Sequence, residues 1–254
     1  MIDLATAREA FATGTGEGIT VAILDTGIDK NHPFFAQAKI LPQIEIGEAF
    51  DISEKEAHDP VGHGTAIAGI IHQLAPEAAL LPVRVLTSGP RQSRHQVISE
   101  GAHEALRKGT QILNCSFGVP ATPHTCFLYK EWIDQAHDQE HFIISAASNS
   151  SINFPEWPSA FRTTLAVADG STPPQTILYQ SHQNISFFAN GSNINVPTPG
   201  GGFTTVTGNS FAAAHLSAMT ARFLSQLPNS SPWFIQELIK QLSPIHSKIL
   251  RTDS

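Results

Sequence analysis

Residues 19–24 (ITVAIL) form a short, unbroken apolar run rich in β-branched side chains, which predicts a strand buried on both faces. Four more runs read the same way: 80–86 (LLPVRVL), 112–117 (ILNCSF), 142–147 (FIISAA) and 163–169 (TTLAVAD). Between them, apolar positions recur at helical spacing. Residues 63–73 open on small side chains and continue as a helix. Residues 96–108 predict an amphipathic helix stopped by Gly109, and a third helix lies around 127–139. A long apolar helix follows at 210–227, with Pro228 just past its end, and Pro232 opens a last helix.

Strand and helix alternating in this way predict an α/β fold with three layers (α/β/α) around a central, mostly parallel sheet. No repeat or linker interrupts it, so residues 1–254 are expected to form a single domain. The one Pro- and Gly-rich stretch, 197–207 (PTPGGGFTTVT), reads as a surface hairpin or loop leading into the helix at Ser210.

Composition narrows the function classes. Charged residues make up 15% of the 254, which suits a globular enzyme rather than a disordered or coiled chain. A formal charge of −7 argues against a nucleic-acid partner. No apolar run approaches the length that spans a bilayer, so no membrane partner is expected. The start, MIDLATAREAF, carries no signal-peptide pattern; a cytoplasmic monomer is expected, or a secreted protein if a leader has been removed. Cys115 sits in an apolar run and is expected to be a reduced thiol, as is Cys126, although their spacing leaves a bridge open.

Three glycine-flanked segments carry candidate chemistry: ILDTGID with Asp25, GHGT with His63, and GNSFAAAH with Ser210. Asp25 falls at a strand end, and His63 and Ser210 each open a helix, where α/β sheets assemble their sites. A serine hydroxyl is a weak nucleophile until a base takes its proton. His63 is suited to that role, and a buried Asp25 would hold the imidazole in the productive tautomer. Asn149, just past the strand FIISAA, is placed to donate to an oxyanion alongside the Ser210 N–H.

The segments DTGID, HGT and GNSFA, in that order, together with SAASN, resemble the signatures of the subtilisin-like serine proteases, the subtilases. LPVRVL and ILNCSFG fit the same pattern, so the resemblance covers nearly the whole chain. It implies the subtilisin fold and endopeptidase action through an acyl-enzyme on Ser210, with no cofactor. It implies a peptide or protein substrate lying extended between two cleft edges, one near Arg91–Arg94 and the other at Ser116, Phe117 and Gly118. The pocket for the residue before the scissile bond would be framed by Ser116–Gly118, by Ala146, Ala147 and Ser148, and by Asn153. No acidic residue stands in those segments, so a neutral or apolar residue is expected there. The segments HPFF and PGGG are similar to pieces of proteases that mature ribosomally made peptide precursors, which implies a specific peptide substrate.

Some positions depart from the family pattern. Asn209 stands where Thr is usual and remains able to donate beside the oxyanion. Ser148 replaces a Gly, Ala214 a Pro, and Phe211 an oxidisable Met. Phe34 stands where calcium-dependent relatives place a ligand Asp, so no metal is expected. Two other classes compete with hydrolysis: a catalytically impaired peptide-binding module on the same fold, and an acyl-transfer variant that cyclises peptides.

Overall fold

The structure is a computed structural model that describes residues 4–86, 91–149, 154–182 and 185–243. Helix α1 (Leu4–Thr13) precedes the first strand, β1 (Thr20–Asp25). A 3-10 turn at Pro33–Phe35 leads into β2 (Lys39–Ile40), β3 (Gln43–Ile46) and β4 (Ile52–Lys55). Then come α2 (His63–Leu74), β5 (Ala79–Arg84), α3 (Arg91–Arg107), β6 (Ile112–Cys115), β7 (Val119–Pro120), α4 (Pro123–Asp138) and β8 (Phe142–Ala146). The second half holds β9 (Glu156–Trp157), β10 (Leu165–Asp169), β11 (Leu178–His182), β12 (Ile185–Ala189), β13 (Ile194–Thr198), β14 (Gly202–Val206), α5 (Asn209–Gln226) and α6 (Pro232–Leu242).

The large sheet runs β11-β12-β10-β8-β6-β1-β5-β3-β4, with β2 added beside β5. Every pairing in it is parallel except the two outermost, β11 with β12 and β3 with β4. Strand β1 lies at its centre, with Val21 opposite Leu80 on one side and Ile112 on the other. Strand side chains alternate between two cores. Val21, Ile23, Ile112 and Ile144 face a core closed by α1, α2, α5 and α6; Ala22, Leu24, Leu113 and Ile143 face one closed by α3 and α4. The three-layer α/β reading therefore stands.

Helix α5 is buried at every position from Ser210 to Leu224, as its apolar, small-residue sequence requires. Its one buried cation, Arg222, donates to the carbonyls of Phe11, Ala12 and Leu74, which close the last turns of α1 and α2. The stretch at 197–207 forms the turn and second strand of the β13–β14 hairpin, which delivers the chain to α5. Phe34 lies in a ring cluster with Phe35, His72 and Phe203. Both cysteines are free thiols, and burial pushes the Cys115 thiol well above its usual pKa. Among the described residues no helix is long and apolar enough to cross a membrane.

Candidate active site

Asp25 ends β1 with no exposed surface. Its backbone carbonyl receives the N–H groups of Val85 (2.9 Å) and Leu86 (3.0 Å), which ties the strand end to the segment leaving β5. Its carboxylate receives the Thr26 N–H at 2.8 Å. Both carboxylate oxygens also face His63 Nδ1, at 2.8 and 2.9 Å. That contact places the imidazole proton on Nδ1 and leaves Nε2 as the basic nitrogen.

His63 is the first residue of α2, and the local sequence explains why the helix starts there. Gly62 turns the chain with a φ of 103°. The buried Asp59 carboxylate then receives the N–H groups of Val61, Gly62 and Thr65 and the Thr65 hydroxyl. Gly64 is required by close approach, since a Cβ there would lie 2.2 Å from the Gly27 carbonyl oxygen. Burial disfavours the imidazolium of His63, but the hydrogen bond and charge of Asp25 and the charge of Asp59 outweigh it. The pKa is raised above the ordinary imidazole value.

Ser210 is the second residue of α5 and 8% exposed. At that position its N–H has no intrahelical acceptor and points out of the helix N-terminus. The hydroxyl donates to the Ser116 carbonyl at 2.9 Å, and the Ser116 hydroxyl returns a bond to the Ser210 carbonyl at 3.0 Å. Behind them a buried chain continues from Asn114 Nδ2 to Ser116 Oγ and from Ser217 Oγ to Asn114 Oδ1. In this state the Ser210 hydroxyl is therefore held by Ser116 and not by His63. The two residues still share one face of the site: the His63 ring lies 5.8 Å from that of Phe211, the residue after Ser210.

Asn149 follows β8 and is exposed. Its Oδ1 accepts the Asn209 N–H at 3.1 Å, which leaves the amide Nδ2 as a donor beside Ser210. Asn209 itself is fully engaged. Its Nδ2 donates to the Ala147 and Ser148 carbonyls at 3.1 and 3.0 Å, and its Oδ1 accepts the Asp169 N–H at 2.8 Å. The expectation that Asn209 donates near the oxyanion is thus corrected. Its amide instead fastens the start of α5 to the ends of β8 and β10.

A cavity of about 190 Å³ opens beside Ser210 and Asn149. Ser116, Phe117 and Gly118 line one side, and Ala146, Ala147 and Ser148 another. A further lining residue, Glu156, is not among the residues expected there; it sits on β9, in a segment flanked by Pro155 and Pro158. Asn153 falls outside the described residues. Arg91 requires a correction. Residues 91–94 form the first turn of α3, and helical backbone offers no strand edge for an extended substrate. The helix begins this early because the residues from Arg91 on are polar but helix-compatible and follow a proline, Pro90, a residue favoured at helix starts.

Comparison with known proteins fits this geometry. The subtilase family model matches residues 16–247. Thermostable alkaline protease from Halalkalibacterium halodurans is 29% identical over 236 residues, a match covering 89% of this chain and 62% of that protein. The chain thus spans less than two thirds of that relative's length. Among solved structures, Sphericase superposes with a TM-score of 0.73 at 24% identity, covering 93% of this chain and 88% of its own. A structure described as a lanthipeptide protease superposes equally well, at 0.73 and 19% identity, over 92% and 84%. With its family signature running through almost every element of the sheet, the chain belongs to the subtilase family.

Proposed function

We propose that this subtilase is a serine endopeptidase in which Ser210 is the nucleophile, His63 the general base and acid, and Asp25 the group that orients His63. Ser210 Oγ attacks the scissile carbonyl carbon while its proton passes to His63 Nε2. The carbon–nitrogen bond then breaks, and the leaving amine takes that proton. Water repeats the sequence on the acyl-enzyme and releases the acid. The Ser210 N–H and Asn149 Nδ2 receive the oxyanion, a contribution of about 3–4 kcal/mol to the transition state for a side-chain donor of this type.

The observation that carries the proposal is the bidentate Asp25–His63 contact at 2.8 and 2.9 Å beside the N-terminus of α5. Attack requires the Ser210 hydroxyl to leave the Ser116 carbonyl by rotation about χ1, between staggered positions. That same hydroxyl contact favours one second reading, a module that binds peptides without cutting them. A fluorophosphonate probe separates the two. One adduct on the wild type, absent from Ser210→Ala by intact mass, is the expected result. No adduct on the folded wild type would give the peptide-binding reading precedence.

The finer reading is cleavage at one site in a specific peptide precursor. It is supported by a specificity cavity of only about 190 Å³, and the lanthipeptide protease shares the fold. Incubation with a denatured protein mixture tests it: few cleavage sites are expected, and broad digestion would remove the reading.

A further inference from the structure

The pocket beside Ser210 contains a carboxylate that no cation among the described residues matches. Glu156 lines it together with Gly118, Ser148 and Asn149. The carboxylate lies over Gly118: a Cβ built there would stand 2.0 Å from Glu156 Oε2 and 2.7 Å from its Cδ. Glycine at 118 is what allows the acid to reach across. The backbone of Glu156 is fixed independently. It pairs with Pro120 across β7 and β9, and its carbonyl accepts from Ala160 N–H at 2.8 Å and Ser159 Oγ at 3.0 Å. The side chain is therefore presented from a rigid support.

Its surroundings are incomplete for an anion. Among the described residues Glu156 enters no salt bridge, whereas Glu45, Glu54, Glu56, Glu104 and Glu237 each do. Burial raises its carboxyl pKa, and only the Ser148 hydroxyl opposes that. A half-buried carboxylate facing a pocket of small residues and backbone gains most from a ligand that brings its own positive charge.

Resting on the reading of this site as a peptidase, we propose that Glu156 selects a lysine or arginine side chain for the residue before the scissile bond. The cationic head pairs with the Glu156 carboxylate while its methylene stem lies along Ala146, Ala147 and Phe117. This replaces the neutral or apolar preference expected when only the segments 116–118 and 146–148 were considered. A bracing role, in which Glu156 merely steadies Gly118 and Ser148, predicts no discrimination by substrate charge.

The test uses binding, so that it does not depend on turnover. Peptides identical except for arginine or its neutral isostere citrulline at the selected position are titrated, by fluorescence anisotropy, into Ser210→Ala and into Ser210→Ala with Glu156→Gln. The proposal expects roughly tenfold or greater preference for arginine, falling to about twofold or less with Glu156→Gln. Equal binding of both peptides to Ser210→Ala overturns it, as does an arginine preference that survives Glu156→Gln. Fluorophosphonate labelling of the wild type runs in parallel and reads the peptidase assignment alone. A charge preference without labelling would leave the pocket assignment standing while the peptidase reading fell.

Discussion

Two histidines on the same side of the sheet illustrate opposite electrostatic outcomes. His63 gains a buried carboxylate and is raised; His215, within α5 and 4% exposed, gains no charge partner and burial pulls it down to about 4. For His63 the base form is neutral, so kcat/KM should fall with decreasing pH through a pKa above the ordinary imidazole value. Asp59→Asn should move that acid limb downward by removing one of the charges that holds it up. A pH–rate profile of the two proteins checks this. For His215 the sign concerns stability. Its folded-state pKa lies below its unfolded value, so the unfolded chain binds the proton first as the pH falls. Stability is complete above the unfolded value near ~6.5 and declines between there and about 4, by a total of about 3 kcal/mol. The His215→Gln variant retains an acceptor for the Gln175 N–H, which His215 Nε2 now receives at 3.3 Å. Its melting temperature should change less between pH 7 and pH 5 than that of the wild type.

The strand end at Asp25 and the helix starts at His63 and Ser210 were legible from local signals with glycine beside each, whereas their chemistry was legible only from the three segments taken together in order. Glu156 was not. It reaches the pocket through a pairing of two-residue strands, β7 with β9, too short to leave any periodicity in the sequence. The three-bond engagement of Asn209 was hidden for a related reason, since its partners come from two other strand ends.

At the scale of elements, the five apolar runs became β1, β5, β6, β8 and β10, the strands buried on both faces. Their cover leaves a continuous hydrophobic record. The edge strands β2, β4 and β11 were not individually legible, because half-exposed edges carry mixed residues; β4 reads Ile-Ser-Glu-Lys. Helix α1 buries only Ala7 and Ala10, too little to stand out against its polar neighbours. Two predictions belong here. Asn209→Ala removes the clamp between α5 and the ends of β8 and β10, and should cost about 2–3 kcal/mol in denaturant unfolding while lowering kcat. Phe211 packs beside His63 where it offers nothing to oxidise, and Met219 is buried. Mild peroxide should therefore spare activity, and Phe211→Met should introduce rapid inactivation.

On the scale of the molecule, Arg222 joins three helices whose residues are far apart in sequence. Arg222→Met should leave three carbonyls at the ends of α1 and α2 without their charged donor and cost about 3 kcal/mol or more, measured as a shift in urea midpoint at constant m. The order of elements along the chain has its own consequence. Asp25 and His63 belong to the first third of the chain, but the nucleophile of the proposed mechanism, Ser210, belongs to α5, which also roofs the sheet over β6, β8 and β10. A growing polypeptide on the ribosome accordingly has base and orienting acid long before it has anything for them to activate. In that mechanism the hydroxyl arrives on the same helix that shuts the core, so a chain still short of α5 would lack the group that cuts.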